Sequence, residues 1–319
     1  MFPHDDANFG RVLEEVAAAR RIEAGLVEKD YWITHALWAL HHAGLEVRFK
    51  GGTCLSKGYG LIERFSEDLD LQLGPGTSDL PEPPNWRGEK PAHVGKRRAW
   101  FDALQSLLAV PGCRVELNGE FDDARARSAV FEVHYPGAFA ARLGPLVSPW
   151  VRLEIGVART TPALLRPISS WVHDALDARA VWAGLVDNRP PPVHCVHPFV
   201  TLLEKIDAVS RRWPRADLPA RAFVRHYEDA AAIIAALPTL PPVPGGLDAL
   251  VSEMLEERQL RVRPSEDDPG FVLAPGERTD EVRAAWEDLQ PLFWGARVPL
   301  DEAGRRVRGW IVAEISAQD

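Results

Sequence analysis

The sequence predicts an α+β protein in which a small mixed β-sheet flanked by helices precedes a helical C-terminal domain. CRVEL, SAVFEVHY and WVRLEIGV predict strands that complete a sheet begun by two earlier strands. In the second half, apolar residues recur at helical spacing in HPFVTLLEKIDAVSRRW, RAFVRHYEDAAAIIAAL and two further segments. The boundary is expected near the proline-rich NRPPPVHCVHP, which gives domains of residues 1–192 and 193–319.

The earlier elements of the sheet domain follow from the same patterns. Helical spacing predicts two helices over residues 8–43, and LEVRFK alternates as a strand. Gly51-Gly52 ends that strand and opens a helix expected from about Thr53 to Leu61. SEDLDLQL is then a second strand, and a turn-rich loop over 74–91 leads to a helix through Trp100.

Composition excludes several classes of protein. The net charge of −9 disfavours a protein that coats nucleic acid indiscriminately. No apolar run is long enough for a membrane-spanning helix, and the N-terminus lacks the apolar core of a secretory signal. Three isolated cysteines fit a reducing compartment, with neither a disulfide framework nor a structural zinc site. We therefore expect a cytoplasmic protein with no membrane partner.

Asp68 and Asp70 lie two residues apart on a predicted strand, so both carboxylates leave the same face. Such close carboxylates repel one another unless a cation lies between them. Mg²⁺ is the natural cation, because it takes one or two carboxylates and completes its shell with phosphates and water. The alternative is the polar face of an ordinary edge strand.

The Gly51-Gly52 turn strengthens the metal hypothesis. A strand, a glycine turn and a helix N-terminus present backbone N–H groups to an anion, although a plain tight turn has the same sequence. The GxxxxGK[ST] spacing of a P-loop is absent. A phosphate-binding turn followed by two metal-binding aspartates nevertheless describes a site for a nucleoside triphosphate with bound magnesium.

These residues resemble a known family. KGGT-x-LSK-x-Y-x-L-x-x-RFSEDLDL looks like the signature of the AbiEii/AbiGii toxin nucleotidyltransferases of the DNA polymerase β-like superfamily, whose relatives include the MenT-type toxins. EKDYW at 28–32, LLEKIDA at 202–208 and RHYEDA at 225–230 resemble the other motifs of that family. The resemblance implies a minimal nucleotidyltransferase fold followed by a helical domain.

The resemblance also implies roles for individual residues. The triphosphate would be held by Gly51, Gly52 and Thr53, with Ser56 and Lys57 nearby. Asp68 and Asp70 would ligate Mg²⁺ or Mn²⁺. Glu154 is the candidate for a third carboxylate on a later strand, and the alternative is a surface or ion-paired glutamate.

The helical domain would contribute two further residues to the site. Lys205 and Asp229 lie on successive predicted helices, which antiparallel packing would bring together. Lys205 would neutralise phosphate charge, and Asp229 would orient Lys205 or the nucleotide. Without the resemblance, a surface lysine paired with Glu204 or Asp207 is the simpler interpretation.

The implied activity is transfer of a nucleotide from an NTP to a hydroxyl group. The MenT-like branch implies the 3′ end of tRNA as acceptor, a growth-inhibiting toxin and a cognate antitoxin. Candidate RNA-binding surfaces are 96–98, 211–215, Arg221 with Arg225, and 305–308. Ser66 resembles a serine that an antitoxin phosphorylates in some related toxins. Two alternatives remain: transfer to a small molecule or a protein hydroxyl, and a non-catalytic interaction protein that retains the fold.

Overall fold

The computed structural model describes residues 1–66, 68–120 and 123–315. It combines a mixed β-sheet with many helices, as the predicted α+β class requires. The chain divides into two compact units. The first unit consists of Met1–Tyr59, Phe65–Thr160 and Leu164–Cys195, and the second consists of Gly60–Arg64, Thr161–Ala163 and Val196–Asp319.

In the described residues, seven strands form one sheet in the order β3-β4-β5-β2-β1-β7-β6. Their bounds are Glu46–Lys50 (β1), Asp68–Gly74 (β2), Arg114–Leu117 (β3), Ser128–His134 (β4), Val151–Gly156 (β5), Ala163–Arg166 (β6) and Val193–Val196 (β7). Strand β1 is antiparallel to β2, whereas β5 runs parallel to β2 and β7 runs parallel to β1. The sheet is therefore mixed, as predicted, and larger than the small sheet expected.

The α-helices of the described residues are Phe9–Arg20 (α1), Ala24–His42 (α2), Gly51–Thr53 (α3), Pro91–Leu107 (α4), Trp171–Arg179 (α5), Pro198–Arg212 (α6), Arg225–Ala236 (α7), Leu247–Glu256 (α8), Pro269–Val272 (α9), Glu277–Asp288 (α10) and Leu300–Glu314 (α11). In the first unit, α2 packs against α1, α5 and the sheet, and it is buried on nearly all sides. In the second unit, α7 packs against both α6 and α11. No described helix is long and apolar enough to cross a membrane.

Alternation sets the two faces of the central strands. On β2, Leu69, Leu71 and Leu73 are buried while the residues between them are partly exposed. Strand β5 has the same pattern, with Leu153 and Ile155 in the core. Burial of one apolar face fixes the strand register, because a shift of one residue would bury the carboxylates instead. The predicted polar face of β2 is thus confirmed.

The structure differs from the predicted elements in three places. The helix expected from about Thr53 to Leu61 begins earlier, as α3, continues as a π-helical turn over Cys54–Gly58 and ends before Gly60. The segment around Cys195, which the sequence marked only as a proline-rich domain boundary, forms strand β7 beside β1. Strand β6 and helix α5 were not anticipated, since neither has a clear apolar period.

Candidate active site

The turn after β1 lies directly against the second aspartate of β2. Lys50, the last residue of β1, pairs with Asp70 across the antiparallel ladder, and Gly51 follows with φ +75°. A Cβ on Gly51 would overlap Asp70 Oδ2 and would lie 2.7 Å from Asp70 Cγ. Both the positive φ and this contact require glycine. The glycine turn and the aspartate therefore form one structural feature.

Parallel pairing of β2 with β5 places further charges on the same face. Asp68 pairs with Arg152, and Asp70 pairs with Glu154. The Arg152 guanidinium lies 3.0 Å from Glu154 Oε1 and 3.6 Å from Asp68 Oδ1. A guanidinium between two carboxylates offsets part of their mutual repulsion. Arg152 is a residue of this site to which the sequence assigned no role.

The donor set here fits a hard divalent cation. Asp68 and Asp70 offer carboxylate oxygens from one face of β2, and Mg²⁺ is commonly held by two carboxylates together with phosphates and water. Within residues 1–66, 68–120 and 123–315, no group of three or more His, Cys, Asp or Glu is arranged to hold a metal. Glu154 is paired with Arg152 in this structure, and its role as a third ligand stays a prediction.

Side chains of the turn region mainly hold the scaffold together. Thr53 Oγ1 lies 2.6 Å from the carbonyl oxygen of Asp68, and Ser56 Oγ donates to the Thr53 carbonyl at 3.1 Å. Lys57 Nζ is 2.5 Å from Asp30 Oδ1 and donates to the carbonyl oxygen of Ser169 at 2.9 Å. The phosphate-binding role of these side chains stays a prediction.

The EKDY motif of α2 connects α2 to distant segments of the first unit. Glu28 accepts hydrogen bonds from the backbone N–H groups of residues 138 and 139, and Lys29 Nζ donates to a carbonyl at residue 148. Asp30 binds Lys57 and accepts from the N–H of residue 171. Tyr31 shares its hydroxyl with His4 and Asn188. The motif therefore acts as a scaffold that anchors the helix carrying Lys57.

In the second unit, Asp229 is fully buried between two cations. Arg64 binds it with two hydrogen bonds, Nε to Oδ1 at 2.7 Å and Nη2 to Oδ2 at 2.8 Å, and Lys205 Nζ is 2.6 Å from Oδ2. Burial alone would raise the pKa of Asp229, but the guanidinium and the ammonium outweigh it and hold this pKa well below its usual range. Burial lowers the pKa of Lys205, and Asp229 opposes that shift.

The structure groups the predicted site residues within each unit. Gly51, Asp68, Asp70 and Glu154 meet in the first unit. Lys205 and Asp229 meet in the second, as the spacing of their helices suggested. Sequence reasoning missed Arg64 as the partner of Asp229. The sequence could have pointed to Arg64, because this arginine lies inside the signature segment ERFSEDLDL.

The predicted basic surfaces differ in exposure. Arg97 is buried and donates to the carbonyl oxygens of residues 85, 88 and 125, so its assignment to a basic surface is wrong. Arg211 pairs with Asp207. In the described part of the chain, Arg221 and Arg225 are exposed and form no ion pair. Both side chains are therefore open to an external anion.

Ser66 lies at the entrance to β2. It is partly exposed, and its carbonyl oxygen accepts from Thr53 Oγ1 at 3.0 Å. It lies two positions before Asp68 in the sequence. Its location is compatible with modification beside the carboxylate pair, which stays a prediction.

A glycine turn packed against paired aspartates on the polar face of a mixed sheet is typical of enzymes that transfer a nucleotide. The sequence model of the nucleotidyl transferase AbiEii toxins of type IV toxin–antitoxin systems matches residues 35–302. The chain belongs to this family, which confirms the resemblance seen in its motifs. Membership implies nucleotidyltransferase activity, a role as a toxin and a cognate antitoxin as partner. No curated protein and no solved structure matches the chain significantly.

Proposed function

We propose that this protein transfers a nucleoside monophosphate from an NTP to a hydroxyl group at the 3′ end of tRNA, with Mg²⁺ or Mn²⁺ as cofactor. Nucleotide addition there would block aminoacylation and bacterial growth until the antitoxin intervenes. The observation that carries the proposal is the contact of the Asp70 carboxylate with Gly51. This contact supports one site in which the Gly51-Gly52 turn would bind phosphate and Asp70 would bind the metal.

Different residues of the first unit have different roles in the proposed phosphoryl transfer. The Gly51-Gly52 turn at the N-terminus of α3 binds the triphosphate, and Asp68 with Asp70 holds the metal. A metal held there would supply positive charge against the phosphates and would help to align the attacking and leaving oxygens. The acceptor oxygen attacks the α-phosphorus as the bond to pyrophosphate breaks, and Glu154 or one of the aspartates takes the hydroxyl proton.

The proposal for Lys205 rests on the motif resemblance. Lys205 neutralises negative charge on the departing pyrophosphate as a compact ammonium. Asp229 and Arg64 keep that ammonium in place within the second unit. For the tRNA, the exposed Arg221 and Arg225 supply cations that no described carboxylate neutralises.

Labelled NTPs and separate acceptor pools test the proposal. Each of the four α-labelled NTPs is incubated with the protein and with total tRNA, total protein or an aminoglycoside. We expect label on tRNA 3′ ends, and we expect Asp68→Ala to reduce it by about 100-fold or more. Asp102→Ala, an exposed aspartate on α4, is the control that keeps activity. Label only in the protein or drug pool would contradict the tRNA assignment, and unchanged transfer by Asp68→Ala would contradict the catalytic site.

We also propose that phosphorylation of Ser66 silences the toxin. A phosphate near Asp68 and Asp70 would add up to two negative charges to a face that already carries a carboxylate pair. Co-expression with the antitoxin followed by mass spectrometry tests this, with Ser56 as an internal reference. A Ser66 that is never modified, while the antitoxin still suppresses toxicity, would rule the mechanism out.

A further inference from the structure

A pocket lies on the same sheet face as Asp68 and Asp70, entirely within the first unit. It has a volume of about 520 Å³, which lies in the usual range of small-molecule sites. Arg48 of β1, Gln72 of β2 and Thr160 line it, together with Glu82 and Pro83 of the loop after β2. Neither the motif resemblance nor the family assignment gives this pocket a role.

Strand register fixes its position relative to the proposed metal site. Gln72 follows Asp70 by two residues on the same face, a rise of about 7 Å along β2. Arg48 pairs with Gln72 and Lys50 pairs with Asp70, so Gly51 continues away from the pocket. Asp70 thus lies between the glycine turn on one side and the pocket on the other. A triphosphate on the turn with its α-phosphate at Asp70 would direct its nucleoside toward the pocket.

The Gln72 amide contacts a neighbouring hydroxyl group. Thr160 is buried, and its hydroxyl donates to Gln72 Oε1 at 2.8 Å. The Nε2 hydrogens have no protein acceptor among the described residues. An oriented amide donor at a pocket wall recognises a hydrogen-bond acceptor on its ligand, such as a base carbonyl, a ring nitrogen or a ribose oxygen.

The charges of the pocket favour the neutral end of a nucleotide over its phosphates. Arg48 is already bound to Glu46, with Nη2 and Nε at 2.8 and 3.0 Å from Oε1. Glu46 and Glu82 both line the pocket, so carboxylates outnumber guanidinium groups. A phosphate would be repelled there, whereas a base and a ribose carry no charge to be repelled.

We propose that this pocket binds the nucleoside moiety of the incoming NTP, with Gln72 Nε2 donating to the base or ribose and Thr160 holding the amide in place. Gln72 and Thr160 are then specificity-determining residues of the transfer reaction. This assignment rests on the proposed nucleotidyltransferase function and adds the position of the nucleoside to it.

Gln72→Met tests the assignment, because it keeps the length of the side chain and removes its donor. Two quantities are measured for each of the four NTPs: KM in the transfer assay, and Kd for the non-hydrolysable α,β-methylene analogue with Mg²⁺. Loss of one neutral hydrogen bond should raise both KM and Kd by about 3- to 10-fold for the preferred NTP. The ratio of its KM to the KM values of the other NTPs should therefore move closer to one. Gln105→Met on α4, an exposed glutamine outside the pocket, is the matched control.

Thr160→Val provides a second variant should Gln72→Met fail to fold. It frees the amide to rotate, so we expect a smaller loss of discrimination among NTPs than Gln72→Met causes. Unchanged KM and Kd in both variants would overturn the assignment, as would a raised KM for tRNA with unchanged nucleotide Kd. The Kd of the analogue is measured without nucleotide transfer, so it tests the pocket assignment separately from the proposed function. A wild-type protein that binds the analogue through Gln72 but transfers nothing would contradict the proposed function alone.

Discussion

Gly51 and Asp70 are the two residues on which the candidate site depends most closely. The positive φ of Gly51 turns the chain out of β1, and the missing side chain leaves room for the Asp70 carboxylate. Each requirement alone favours glycine. Together they explain why a Gly-Gly turn and an Asp-x-Asp strand occur in one short segment of sequence.

Gly51→Ala should therefore abolish nucleotide transfer. The new Cβ displaces the Asp70 carboxylate, and left-handed backbone strain adds about 1–2 kcal/mol of destabilisation. Gly184→Ala is the matched control, because Gly184 has φ +80° and an added Cβ there would meet nothing within 4 Å. The control should lose similar stability in a denaturant melt and keep its activity. Equal activity in the two variants would show that the Asp70 position is unimportant.

At the scale of elements, strands β2 and β7 show what the sequence can and cannot predict. Alternation in β2 gave the polar face of Asp68 and Asp70, since a strand that buries one face has a period of two. The sequence could not show that Arg152 would lie beside Asp68, because that depends on parallel pairing with a distant strand. Strand β7 was missed for a related reason: a short strand is stabilised by its neighbours more than by its own pattern.

Helices α6 and α7 are linked by a buried charge cluster whose loss should be costly. Asp229→Asn leaves Arg64 and Lys205 buried without their carboxylate, and breaking such a pair costs about 3–5 kcal/mol. Asp217→Asn is the matched control, since its pair with Arg215 is exposed and solvent screening leaves it little effect on stability. Chemical denaturation of both variants measures the difference. Similar losses would mean that the buried cluster does not stabilise the second unit.

At the scale of the whole molecule, the scaffold of the first unit contains a buried network of imidazoles. His35 Nδ1 lies 2.7 Å from Asn188 Nδ2, and His173 Nε2 lies 2.9 Å from Asn188 Oδ1. Burial is the main cause that lowers the pKa of both His35 and His173 to about 4. Each imidazole is thus neutral in the folded chain at pH values where it is charged in the unfolded chain.

The stability of the protein should therefore fall on acidification from about pH 6.5 to about pH 4. In this window the unfolded state binds more protons than the folded state, so the free energy of unfolding decreases as pH falls. Each imidazole contributes a slope of about 1 kcal/mol per pH unit. His173→Asn should flatten the slope by that amount. The free energy of unfolding is measured by chemical denaturation at pH 5 and at pH 6 for the wild type and for His173→Asn. The same change between the two pH values in both proteins would contradict a buried, neutral His173.

The central claim is that the glycine turn and the two aspartates form a single metal-dependent nucleotide site. Calorimetric titration of the protein with an α,β-methylene NTP, with and without Mg²⁺, tests it most directly. The account predicts that binding requires Mg²⁺ and weakens at least about 30-fold in Asp70→Asn, since the metal is then held by one carboxylate. Binding that is equally tight without Mg²⁺, or unchanged in Asp70→Asn, would contradict it.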